Sequence, residues 1–182
     1  KMYEKYDVII AGCGVAGLYA ALRFDESVNV LMVSKRDREL SNSSLAQGGV
    51  AAVLSFDNDS FDLHYEDTLI AGGRKNNPEV VKVLVSEGPD DVRKIMTMGV
   101  DFDKDENGNP MKTLEGGHCR RRIVHHKDQT GHEIVIKLLE QVKKRKNITL
   151  RENIMITSAQ RVAGGFRVDM IVDGEKHEAA YS

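Results

Sequence analysis

The stretch Tyr6–Arg23, YDVIIAGCGVAGLYAALR, decides the fold: a β-branched apolar run stops at a glycine, and residues at helical spacing follow without a linker. Tyr6 to Ala11 reads as a strand buried on both faces of a parallel sheet, because its apolar residues run on without alternation. Val15 to Arg23 reads as a helix, and Val28 to Val33 (VNVLMV) as a second buried strand. This is a βαβ unit whose first turn, GCGVAG at Gly12 to Gly17, has the GxGxxG spacing. Gly12 allows the tight turn, Gly14 lets a pyrophosphate approach the backbone, and Gly17 lets helix and strand pack closely. Cys13, Val15 and Ala16 complete the turn, where unpaired N–H groups of the helix N-terminus face the phosphates. Cys13 itself is expected to be a small packing residue and not a reactive thiolate.

Further along, Phe61 to Ala71 and Pro78 to Met98 predict helices, the second broken near Gly88-Pro89 because proline disfavours helical geometry in the residue before it. Asp101 to Pro110 is a polar loop. Thr130 with Glu133 predicts a capping box that opens a helix to about Lys144, after which Ile148 to Leu150 returns to the sheet. Ile154 to Ser158, Phe166 to Val172 and Lys176 to Tyr181 alternate as strands, the last two joined by a turn at Asp173-Gly174. That order predicts an α/β fold: a Rossmann-like domain with a parallel sheet, flanking helices and an appended β-meander.

A chain of 182 residues suits one domain with one good core. Its net charge of −2 gives no basic field for nucleic acid, so the expected partners are small molecules. The two cysteines, Cys13 and Cys119, form no CxxC pair or disulfide framework, which fits a reducing cytoplasm. No apolar run approaches the roughly 20 residues that span a bilayer, and KMYEKYDVII is no signal peptide, so a soluble protein off the membrane is expected.

About 20 residues after the glycines, the position that usually offers an acid to a ribose hydroxyl reads Val33-Ser34-Lys35. Two readings are open: an NADP site in which Lys35 meets the 2′-phosphate, or a flavoprotein that binds the ribose otherwise. The segment SNSSLAQGG, Ser41 to Gly49, favours the flavin. Its hydroxyls, amides and paired glycines supply donors and close backbone approach for a second cofactor segment.

With these motifs together, the chain resembles the L-aspartate oxidases, a branch of the succinate dehydrogenase and fumarate reductase flavoproteins. The resemblance rests on GCGVAG, VSK at Val33 to Lys35, SSLAQGGVAAV at Ser43 to Val53, EDTLIAG at Glu66 to Gly72 and EGGHCRRRIVHHKDQTGHE at Glu115 to Glu133. It covers Tyr6 to about Ser158. It implies that FAD is held by the turn Gly12 to Gly17, by Lys35, and by Asn42, Ser43, Ser44, Leu45, Ala46, Gln47, Gly48 and Gly49. Met155 is implied at the adenine end through its backbone. Where succinate dehydrogenases carry a histidine bonded to the flavin, five residues before the glutamine of AQGG, this chain has Asn42. An amide cannot form that bond, so noncovalent FAD is implied.

The resemblance further implies that Glu115 lies near the substrate's amino group, selecting an ammonium-bearing dicarboxylate by charge. By itself, a glutamate beside Gly116-Gly117 reads as a surface loop residue. The implied reaction takes L-aspartate to iminoaspartate by hydride transfer to FAD, which oxygen or fumarate reoxidises. The product would feed quinolinate synthase and NAD formation. Arg120, Arg121, Arg122, His125 and His126 form a cationic patch suited to steering an anion or pairing with acids elsewhere, most of them in a solvated or interdomain role. Asp103, Asp105, Asn107 and Gly108 imitate the start of a calcium loop, but Leu114 stands at the twelfth position, and no metal site is expected. Residues 1–182 are expected to be the N-terminal part of a FAD-binding domain, truncated before the capping domain and inactive alone. The alternatives are a fumarate reductase or succinate oxidase flavoprotein and an NADP-binding module.

Overall fold

A computed structural model describes residues 4–37 and 41–182. In chain order the elements are β1 (Glu4–Lys5), β2 (Val8–Ala11), α1 (Val15–Arg23), β3 (Val30–Val33), β4 (Val50–Ala51), α2 (Phe61–Ala71), α3 (Pro78–Thr97), β5 (Lys112–Thr113), β6 (Ile123–Val124), α4 (Thr130–Lys144), β7 (Ile148–Arg151), β8 (Ile154–Val162), β9 (Gly165–Val172) and β10 (Lys176–Tyr181). They form two compact units, one of residues 1–45 and 134–182, the other of residues 46–133.

The first unit holds the βαβ turn. Its parallel sheet has the order β2-β3-β7, in register Val8↔Val30 and Val30↔Ile148. All four residues of β3 are buried, which is why VLMV carries no polar alternation. The meander follows as β8, β9 and β10, antiparallel in sequence, with β1 added in parallel on β10. Leu31 and Val33 of the parallel sheet share a core with Ile154, Val168, Met170 and Ala180 of the meander. At the β9–β10 turn Asp173 and Gly174 both take positive φ, 51° and 80°, which Asp-Gly accepts at low cost. Along α4, Ile134, Val135, Leu138, Leu139 and Val142 are buried, following the predicted helical spacing.

The second unit is built of α2, α3 and a small sheet of order β4-β6-β5. Leu69 of α2 packs with Val81 and Val85 of α3. Contrary to the expected break at Gly88-Pro89, α3 is continuous through Pro89. An interior proline costs about 3 kcal/mol. Here it lies on the buried stripe of Val81, Val85, Val92 and Ile95, whose burial offsets that cost. The capping box also does not form. Thr130 already stands in the helix; its hydroxyl accepts from the His126 N–H, and the Glu133 carboxylate accepts from the Asp101 N–H.

Candidate functional site

In the first unit, Gly12 has φ +108° and its N–H donates to the Val33 carbonyl at 2.8 Å, so the chain leaves the sheet there in a conformation that favours glycine. Gly14 caps α1 in extended geometry and offers no side-chain acceptor to the first N–H groups. A Cβ on Gly17 would lie 2.1 Å from the Gly12 carbonyl oxygen, so the helix can sit against the turn only without a side chain. Cys13 is buried, as expected of a packing residue, while Val15 and Ala16 are exposed.

Ser43, 28 residues on, comes to this turn: its hydroxyl accepts from the Val15 N–H at 3.2 Å. That N–H is one of the orphan donors a phosphate oxygen would take. Ser41 shapes the segment by accepting from the Ser44 N–H at 3.1 Å, and Asn42 and Leu45 are exposed. Lys35 and Met155 line one cavity of about 450 Å³ at the end of the sheet, with Asn153, Ile171, Asp173 and Gly174. The turn, Ser43 and the pair Lys35 and Met155 thus fit a nucleotide cofactor by close backbone approach, helix donors and a cation. Asp173, absent from the sequence-derived set, adds a carboxylate to the cavity wall.

In the second unit, Ala46, Gln47 and Gly48 are exposed, and the Ala46 carbonyl accepts from the Gly131 N–H at 3.0 Å. Gly49 has a packing reason of its own: a Cβ there would lie 2.3 Å from Cγ2 of Ile123. A Cβ on Gly48 would lie 3.9 Å from Oε2 of Glu115, so the carboxylate lies close beside the AQGG segment. Glu115 is exposed in the loop between β5 and β6, where its carbonyl accepts from the His118 N–H and Gly117 takes φ +82°.

Of the two roles open to the cationic run, steering an anion or pairing with acids elsewhere, Arg122 takes the second. Arg122, expected within a cationic patch, has no exposed surface. Its Nε and Nη2 donate to Asp59 Oδ2 and Oδ1 at 2.8 and 2.7 Å, and Nη1 donates to Asp67 Oδ2 at 2.5 Å. Nη1 also donates to His118 Nδ1 at 3.0 Å, and Nη2 approaches Cys119 Sγ at 4.0 Å. A guanidinium has five N–H donors, and all five face an acceptor. Because arginine only donates, Nδ1 of His118 is the bare nitrogen and its proton is assigned to Nε2.

Burial pushes the Asp59 carboxyl up, but the Arg122 hydrogen bonds and the Ser60 N–H bring it below the usual carboxylate range. Asp67 behaves alike: burial raises it, and the Cys119 N–H and Arg122 outweigh that. The Asp59 hydrogen bonds, ahead of burial, hold Arg122 above its ordinary range. His64, buried on α2 with its ring centroid 5.6 Å from that of His118, is pushed down first by burial and then by Arg122. The signal for Arg122 in the sequence was its place directly ahead of the buried Ile123 and Val124. The rest of the patch behaves otherwise: Arg120 and Arg121 are exposed, and His125 Nδ1 lies 3.0 Å from Asp103.

Comparison with known proteins adds to this geometry. The model of the family "FAD binding domain" matches residues 7–180. An L-aspartate oxidase of Clostridium perfringens is 49% identical over 147 residues, 81% of this chain and 33% of that protein. The chloroplastic L-aspartate oxidase of Arabidopsis thaliana is 43% identical over 80% of this chain and 22% of its own length. Among solved structures, the Mycobacterium smegmatis Sdh1 complex in the apo form superposes with a TM-score of 0.88 at 28% identity, covering 98% of this chain and 33% of that one. The chain therefore spans a third or less of these relatives.

Proposed function

The chain belongs to the FAD binding domain family, with FAD as its cofactor, and on that premise we propose that it is the cofactor-binding part of an L-aspartate oxidase. The observation that carries the substrate is the Glu115 carboxylate beside Gly48. A carboxylate there meets the ammonium of aspartate and has nothing to pair with in succinate. FAD, when bound, supplies the hydride acceptor for the α-carbon, giving iminoaspartate. This chain's own residues bind and orient.

Gly12 to Gly17 offer N–H donors to the pyrophosphate, and Ser43 lies on the same helix end. Lys35, the backbone at Met155 and Asn42 to Gly49 complete the proposed cofactor set. Asn42, unable to form a histidyl bond, supports noncovalent attachment. Hydride passed to FAD would leave it on reoxidation by oxygen or fumarate, and the imine would pass to quinolinate synthesis and NAD formation. Cys13 and Cys119 form no disulfide, which supports a reducing compartment such as the cytoplasm. Among the described residues, no helix is long and apolar enough to cross a membrane.

The likeness to the Sdh1 complex favours a second reading, a flavoprotein acting on succinate or fumarate. The test uses the protein expressed at the full length of its coding sequence and loaded with FAD. Flavin bleaching is followed with L-aspartate and with succinate. Bleaching by aspartate alone is expected, and bleaching by succinate alone overturns the reading in favour of the second. Binding of NADP(H) without any flavin response overturns both.

A further inference from the structure

We propose that His118 and Arg122 are positioning residues for Glu115, fastening its loop from below so that the carboxylate faces the substrate's ammonium group. The inference rests on the role of Glu115 proposed above. Leu114 to Arg122 join β5 to β6, and a loop of this length would ordinarily sample many conformations. Here it is tied down at consecutive residues. The Cys119 N–H donates to Asp67 Oδ2 at 2.9 Å, the oxygen that also accepts from Arg122. The His118 ring accepts from Arg122, while the His118 N–H closes the turn on the Glu115 carbonyl at 3.2 Å.

Arg122 in turn is held at both ends of its guanidinium. Its bidentate pair with Asp59 and its bond to Asp67 fix the guanidinium plane with no surface exposed to water. The acceptor at His118 Nδ1 therefore has one place to be, and the residue three positions earlier, Glu115, is set by the turn that His118 closes. A loop held this way keeps a carboxylate in one place without spending that carboxylate on its own anchoring: no ion pair of Glu115 is present among the described residues. Its charge is left for a ligand.

The experiment compares His118→Leu, which removes the acceptor, with His118→Asn, whose amide oxygen can replace Nδ1. Both leave the Arg122–Asp59 pair intact, avoiding the folding failure expected of Arg122→Ala. In the FAD-loaded protein at the full length of its coding sequence, His118→Leu should raise the KM for L-aspartate roughly tenfold, the loss of one hydrogen bond to a charged group. The inhibition of aspartate turnover by succinate and the flavin absorbance should not move, and amide exchange over residues 115–119 should speed up. His118→Asn should restore both readouts, and in a Glu115→Gln background His118→Leu should add nothing to the aspartate KM. Unchanged loop exchange in His118→Leu, or effects of the two substitutions that multiply, overturns the proposal. Should Glu115→Gln leave the aspartate KM untouched, the amino-recognition reading of Glu115 falls, and the exchange rates alone then decide whether the anchor holds.

Discussion

The turn at Gly12 to Gly17 and the loop at Glu115 to Arg122 both present a site, and they are made rigid by opposite means. The turn does it with almost no side chains: two backbones approach so closely that a Cβ on Gly17 would meet a carbonyl oxygen at 2.1 Å. The loop does it with a buried cation whose donors all find acceptors, three of them oxygens of the two carboxylates 55 and 63 residues earlier in the chain. A site made of backbone tolerates almost any neighbour but no added atom. A site made of charges tolerates small displacements but not the loss of one partner.

The largest expected effect breaks the second region. Arg122→Met leaves the half-buried Asp59 and Asp67 without their cation and should cost about 3–5 kcal/mol, read by urea denaturation of the chain. Replacing all three residues with apolar ones should recover most of that loss, because a complete buried network is often matched by good packing. Recovery by the triple variant sharpens the contrast, since no second substitution can rescue a crowded glycine so directly.

Gly17→Ala tests the first region. Overpacking of this kind costs about 1–3 kcal/mol, and the helix must move off the turn, so FAD retention on gel filtration should fall more than stability does. A variant that keeps FAD with native affinity would mean that the turn yields as easily as the loop.

Acid gives the smallest effect and again separates the regions. His64 has its folded value depressed and is kept neutral by burial, so the unfolded chain binds the extra proton first. Stability should decline as pH falls from about 6.5 toward the lowered folded value. Asp59 and Asp67 are also depressed, which adds a second loss as pH falls below about 4. Thermal melts across pH should show both steps, and His64→Phe should remove the first and leave the second.

The same contrast explains how far the sequence could be read. The glycine turn, the buried strand at Val30–Val33 and the Asp173-Gly174 hairpin depend on residues close in the chain, and spacing reveals them. The motifs name Ser43, Val15, Gly48 and Glu115 singly, but the pairing of Ser43 with Val15 and the nearness of Gly48 to Glu115 join residues far apart in the chain and are not legible in it. Arg122 reads with Arg120 and Arg121 as one patch, because its one local mark, the place ahead of Ile123 and Val124, does not name the acids on and just ahead of α2 that it meets. Thr130 and Glu133 carry the pattern of a capping box, yet the His126 N–H four residues earlier takes the Thr130 hydroxyl and the distant Asp101 N–H takes the Glu133 carboxylate. Local rules fail where a distant group offers a better bond.

Pro89 in α3 carries a last consequence. Without an N–H at that position, the Val85 carbonyl has no donor four residues on, so the continuous ladder of α3 is one bond short where its buried apolar stripe passes. Such a helix has a built-in seam for local opening. Its amides should fall into two groups by hydrogen exchange, one on each side of residues 85–89, each protected by its own packing and not by cooperative winding of the whole.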